Sequence, residues 1–260
     1  MDHFTLGKPP HPGTEGAGGT KFSREMGFPG VFYSKNITPA GLKEWTDGEI
    51  LRALTTGIDK NGEVLFSLMP YERYSQMAEE DLFSIIAYIR SLEEVPNEIG
   101  TRELDFPVSL LINTMAVEPA YSEIPDKTDM VNYGKYMFNA AACQDCHTPM
   151  DDKGNYLEDL YLAGGFKFPN ETGGVTRSAN ITPDEETGIG SWDEDRFVSQ
   201  FKQYTDSAYV WPTIKQGEFN TEMPWSIYSQ MDEYDLRAIY SYLRSVPAIN
   251  NRIEKFTPDE

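Results

Sequence analysis

Apolar residues recur at helical spacing in five stretches of the chain, separated by long runs rich in glycine and proline. Thr128 and Asp129 can cap a helix running through Ala142, with Val131, Tyr133, Tyr136, Met137 and Phe138 on its apolar positions. Thr46 followed by Glu49 has the spacing of a capping box and opens a helix to Thr56; a matching helix is expected after Trp192. From Asp232 to Ser245, Leu236, Ile239, Tyr240 and Leu243 stand three and four apart, the pattern of a terminal helix, and Ala78 to Leu92 is its partner. Short helices wrapped by long loops predict an all-α fold, with a core completed by a cofactor.

The same pattern occurs twice. Tyr74-Ser75-Gln76-Met77 returns as Tyr228-Ser229-Gln230-Met231, and Met69-Pro70-Tyr71 as Met223-Pro224-Trp225. Ala87-Tyr88-Ile89-Arg90-Ser91 returns as Ser241-Tyr242-Leu243-Arg244-Ser245. Asn36-Ile37-Thr38-Pro39 returns as Asn180-Ile181-Thr182-Pro183, and Ala17-Gly18-Gly19 as Ala163-Gly164-Gly165. Self-similarity over this distance implies two related units. The expected boundaries are 1–96 for the first, 128–260 for the second and 97–127 for a connector. The apolar run from Phe106 to Met115 makes that connector too hydrophobic for a free linker, so it is expected to pack on one or both units.

Composition narrows the function. The 260 residues carry 42 acidic and 22 basic side chains, a net charge of -20, which disfavours nucleic acid and permits steering towards a basic protein partner. No run of eighteen apolar residues exists, so no membrane span is predicted. The N-terminus shows no signal-peptide pattern. Aromatic residues make up 13% of the chain, enough to line a flat hydrophobic cofactor.

Both cysteines of the chain fall within Cys143-Gln144-Asp145-Cys146-His147. The spacing C-x-x-C-H is the attachment signature of c-type haem. Two thiols on one helical turn can each form a thioether, and the adjacent histidine then faces the iron as proximal ligand. A thioredoxin-like pair should follow a strand in a βαβ unit, whereas this motif follows a helix. Structural zinc needs four ligands, and only Cys143, Cys146 and His147 are local; the other histidines are His3 and His11. For the sixth iron position, Met223 in the repeated Met-Pro-aromatic loop is the favoured candidate, its proline stiffening the loop. The competing reading of Met223 is a plain core methionine. Met150 is too near His147 to reach the opposite face, and Met231 looks structural. Arg177, Trp211 and Trp225 are candidate haem contacts, as are Trp192 and Tyr228.

These motifs in this order resemble the di-haem cytochrome c family of bacterial electron carriers, similar to the cytochrome subunits of membrane-bound dehydrogenases. The resemblance covers nearly the whole chain, twice, and implies two tandem cytochrome c folds. It implies Cys143 and Cys146 as thioether sites, His147 and Met223 as axial ligands, and Met69 as distal ligand of a first haem. It also implies electron transfer rather than enzymatic turnover, an extracytoplasmic, periplasmic location, and a dehydrogenase, cytochrome or oxidase as redox partner. The first unit departs from the pattern, because it has no C-x-x-C-H. The expectation is an N-terminally truncated chain with one haem c here and two in a full-length form. The alternatives are a first unit that has lost its haem, a di-haem peroxidase-like enzyme, and a non-haem module built on the two cysteines.

Overall fold

In a computed structural model of the protein, residues 11–151, 153–169 and 173–259 are described, and they divide into two compact units, residues 11–124 and 125–259. His3 lies outside the described residues.

In the first unit, β1 (Lys21–Phe22) and β2 (Gly30–Tyr33) pair antiparallel, and β3 (Glu103–Leu104) adds to the other edge of β2. The helices are α1 (Pro39–Leu42), α2 (Asp47–Thr56), α3 (Tyr71–Tyr74), α4 (Glu79–Ser91) and α5 (Val108–Leu111). The Thr46 hydroxyl accepts from the Glu49 N–H and the Glu49 carboxylate accepts from the Thr46 N–H, so the capping box satisfies two orphan donors at the start of α2. Leu42, Ile50, Ile86 and Ile89 bring α1, α2 and α4 into one core. Residues 97–124 belong to this unit. The Tyr71 hydroxyl donates to the Met115 carbonyl, and the Ala120 N–H donates to the Ser75 carbonyl.

In the second unit, α6 (Met130–Ala140) leads into the one-turn helix α7 (Cys143–His147). Strands β4 (Lys167–Pro169) and β5 (Val175–Arg177) form a hairpin, followed by α8 (Glu194–Lys202), α9 (Trp225–Tyr228) and α10 (Glu233–Ser245); β6 (Phe256–Thr257) completes the sheet on β5. Phe138, Leu162, Ile189, Phe197, Ile239, Tyr242 and Leu243 form the core. Helices α6 and α10 cross with their backbones nearly touching. A Cβ placed on Gly134 would lie 1.8 Å from the Ala238 carbonyl oxygen, so only glycine permits this approach.

The five expected helices are present, but the all-α expectation does not hold: each unit also carries a three-stranded antiparallel sheet. These strands are two to four residues long. Such lengths are too short to display a two-residue hydrophobic period. Their pairing is also non-local, since β3 arrives from beyond α4 and β6 from beyond α10. The Asn-Ile-Thr-Pro motif acquires a physical role. In each copy the asparagine carboxamide oxygen accepts from the threonine N–H and hydroxyl. Its NH2 donates to a carbonyl a few residues past α4 in the first unit, that of Val95, and past the last long helix of the second unit, that of Ile249. The motif therefore ties the mid-unit loop to the returning chain.

Candidate functional site

Asp129 caps α6 by accepting from the Asn132 N–H, and Tyr133, Tyr136 and Phe138 turn that helix into the core. Ala142 then takes the left-handed conformation, φ 51°, which breaks the helix and restarts it as α7. For a residue with a Cβ this conformation costs about 1–2 kcal/mol. Two side chains hold the restarted turn: the Tyr228 hydroxyl donates to the Ala141 carbonyl at 2.7 Å, and the Tyr156 hydroxyl donates to the Asp145 carboxylate at 2.9 Å.

Helix α7 places both thiols and His147 within one turn. Cys143 packs against the core, and burial, with Cys146 and Asp145 nearby, pushes its thiol up to about 12. Cys146 is exposed; burial first, then the charges of Asp145 and Glu222, push its thiol up to about 11. Both cysteines are therefore neutral thiols at pH 7. That is the reverse of an exchange-active dithiol, which needs a lowered pKa. Among the described residues no three histidine, cysteine, aspartate or glutamate side chains form a cage for a metal ion.

His147 is fixed by a partner that carries no side-chain signature. Its Nδ1 lies 2.8 Å from the Ala179 carbonyl oxygen. A carbonyl only accepts, so Nδ1 carries the proton and Nε2 keeps the lone pair that a metal would use. Burial lowers the imidazole pKa and favours this neutral form, while the Ala179 contact acts in the opposite direction. Gly164, at φ 76°, lies against the same carbonyl group; a Cβ there would be 2.5 Å from the Ala179 carbonyl carbon. The Gly164 N–H donates to the His147 carbonyl, and the Thr148 hydroxyl accepts from the Leu162 N–H. The repeated Ala-Gly-Gly turn and the residue before Asn-Ile-Thr-Pro thus jointly hold the imidazole.

Met223 lies half-buried in the loop before α9. The charge of Glu222, the residue before Met223, also contributes to raising the Cys146 thiol. The Met223 N–H donates to the Thr221 hydroxyl, and the Trp225 N–H donates to the Met223 carbonyl. Trp225 stacks on Tyr204 and meets Phe201 edge-on, while Trp211 stacks on Tyr204 and meets Tyr209 edge-on. Arg177 is turned to the C-terminal strand, donating to the Glu254 carbonyl and the Thr257 hydroxyl. Trp192 packs on the core beneath Arg196. Met231 packs against the core, Met150 is exposed and bridged to Tyr156, and His11 is exposed in the first unit.

The first unit keeps part of this frame. The Thr20 N–H donates to the Ser34 hydroxyl just as the Phe166 N–H donates to the Ser178 hydroxyl. Gly18 lies against the Lys35 carbonyl as Gly164 lies against that of Ala179. Met69 is half-buried, and the Tyr71 N–H donates to its carbonyl at 2.8 Å, the distance found between Trp225 and Met223. Ala179, Lys35 and Thr221 were not singled out from sequence. The first two act through backbone atoms; the only signal for them was their place immediately before the repeated Asn-Ile-Thr-Pro.

Residues 131–247 match the family model described as cytochrome c. The chain is 32% identical over 250 residues to the fructose dehydrogenase cytochrome subunit of Gluconobacter japonicus, covering 89% of this chain and 47% of that one. It is 28% identical over 253 residues to the gluconate 2-dehydrogenase cytochrome c subunit of Pantoea cypripedii, covering 89% and 54%. It is 26% identical over 242 residues to a diheme cytochrome c-type protein of Cereibacter sphaeroides, covering 90% and 76%. The chain thus spans about half the length of the dehydrogenase subunits it matches.

Proposed function

We propose, from the premise that this chain is a c-type cytochrome related to the cytochrome subunits of bacterial dehydrogenases, that its second unit holds one haem c between His147 and Met223. The observation that carries this reading is the His147–Ala179 contact beside two cysteines on the same helical turn. The donor set fits the group: Cys143 and Cys146 supply the thioether sulfurs, and Nε2 of His147 supplies the proximal nitrogen. Met223 would supply a soft thioether from the loop before α9, which would favour the reduced state of the iron. When bound, the haem supplies reversible one-electron exchange. Ala179 holds the imidazole proton on Nδ1, Gly164 lets the chain approach that carbonyl, and the core from Phe138 to Tyr242 excludes water behind Cys143.

The first unit carries Met69 and the Lys35 carbonyl in the places of Met223 and Ala179 but contributes no cysteine. One covalent haem is therefore proposed for this chain, with Met69 reserved for a first haem if a proximal ligand is supplied. The role is electron transfer to or from a redox protein of the dehydrogenase class, outside the cytoplasm, where thioether attachment takes place in this family. Among the described residues no helix is long and apolar enough to cross a membrane.

The test is expression with cytochrome c maturation machinery and a pyridine haemochrome assay. One haem per chain is expected, lost in a Cys143→Ala, Cys146→Ala double variant. No covalent haem in the unmodified chain sinks the reading.

A further inference from the structure

Within the second unit, Thr221 occupies a position that neither the sequence motif nor the ligand set accounts for. Its hydroxyl oxygen accepts two hydrogen bonds, one from the Met223 N–H and one from the Trp225 indole N–H, each 3.2 Å long. The indole is itself held: it lies nearly parallel to Tyr204, with centroids 5.1 Å apart and planes at 12°, and edge-on to Phe201 at 5.3 Å. Phe201 and Tyr204 are carried by α8 and the turn after it, and Phe201 packs against the core. On the other side, the neighbouring carbonyl of Asn220 accepts from Thr176 on β5. One hydroxyl therefore connects the Met223 backbone to a rigid aromatic stack, while the preceding residue is tied to the sheet.

The first unit fastens its copy of the loop by other means. Tyr71 replaces the tryptophan, is fully buried, and donates through its hydroxyl to the Met115 carbonyl. Ser67 stands two residues before Met69, where Thr221 stands before Met223, and the Met69 N–H donates to the Phe66 carbonyl instead. The Thr221 clamp is thus a property of the unit that has the cysteines.

We propose that Thr221 is a positioning residue for the iron ligand Met223, acting with Trp225 to keep the thioether loop closed over the haem site. The proposal rests on the assignment of Met223 as distal ligand. A methionine–iron bond is weak and exchangeable, so its occupancy depends on how far the loop is held in place without it. Loss of the clamp lets the loop open and exposes the sixth position to an external ligand.

The experiment compares the holo-protein with Thr221→Val, Thr221→Ser and Trp225→Phe, reading the weak methionine-to-ferric-iron absorption near roughly 700 nm, which reports the axial ligand, and the affinity of the ferric protein for imidazole. Valine keeps the shape of threonine and removes the acceptor; phenylalanine keeps an aromatic ring for the stack and removes the N–H. The expected result is imidazole binding tighter by about tenfold in Thr221→Val, equivalent to about 1.4 kcal/mol, with a weakened band. Trp225→Phe is expected to shift in the same direction and Thr221→Ser to match the unmodified protein. Unchanged imidazole affinity in both Thr221→Val and Trp225→Phe overturns the proposal, as does a serine variant perturbed as much as valine, since packing would then explain the effect. Absence of the band in the unmodified protein has a different meaning: it removes Met223 as ligand, and the role of Thr221 with it.

Discussion

At the scale of single residues, the site depends on backbone conformations and carbonyls as much as on the cysteines and histidine. Ala142 holds a left-handed conformation that glycine would adopt without strain. Ala142→Gly is therefore expected to raise stability by about 1 kcal/mol, seen as a higher midpoint in thermal or urea unfolding; a loss of stability would show that the methyl group contributes packing that outweighs the strain. Gly164 is the opposite case. Gly164→Ala meets both a positive φ and the Ala179 carbonyl group, so it is expected to displace the acceptor of His147. A one-to-one haem stoichiometry with an unaltered visible spectrum in that variant would contradict this account. Cys143, Cys146 and His147 stand out from spacing alone, because the proposed covalent attachment would demand those residue types at that separation. Ala179 was not, because any residue offers the same carbonyl.

At the scale of elements, the crossing of α6 and α10 and the cap of α2 make separate demands. Alanine at Gly134 gains about 1 kcal/mol of helix propensity but forces its methyl into the backbone of α10. Overpacking of this kind costs typically about 1–3 kcal/mol, and at a separation of 1.8 Å from a carbonyl oxygen the clash wins. Gly134→Ala is expected to lower the unfolding midpoint, and an unchanged midpoint would mean that the helices separate freely. The cap of α2 responds to acid. The Thr46 N–H and hydroxyl hold the Glu49 carboxyl below its ordinary value of 4.5. A carboxylate whose pKa is depressed in the folded state contributes stability above the unfolded value and loses it as pH falls through the lower folded value. The N-terminal turn of α2 should therefore fray once acid protonates Glu49 below the ordinary carboxylate range, read as lower amide protection factors at Glu49 and Ile50 with neighbouring helices still protected. Equal protection at pH 3 and pH 7 would argue against the capping role. The helices were legible because their 3.6-residue period spans ten or more positions. The strands were not, since two to four residues carry no period and their partners are distant in sequence.

At the scale of the whole molecule, charge is the dominant property. A net charge of -20 gives a field that would attract a basic protein at low ionic strength and that fades within a Debye length of about 8 Å in physiological salt. The second-order rate of electron exchange with a basic protein is expected to fall steeply as salt is raised, measurable by stopped flow; a flat dependence would place the contact on an uncharged surface. The two units also divide the molecule chemically. Both keep the turn, the asparagine clamp and the Met-Pro loop, whereas only the second contributes cysteines.

The amino-acid sequence by itself determined the two-fold repeat, the main helices, the cysteine–histidine motif and the likeness to cytochromes c. Each of these is written in residue types at short, fixed spacings, where local geometry leaves few choices. Tertiary structure alone decided that each unit carries a small sheet, that the Ala179 carbonyl sets the His147 tautomer and that Thr221 braces Met223 against an aromatic stack. It also decided that Gly134 is where two helices touch. These features pair atoms remote along the chain, many of them backbone atoms common to every residue, so nothing in the one-dimensional pattern distinguishes them until the chain has folded.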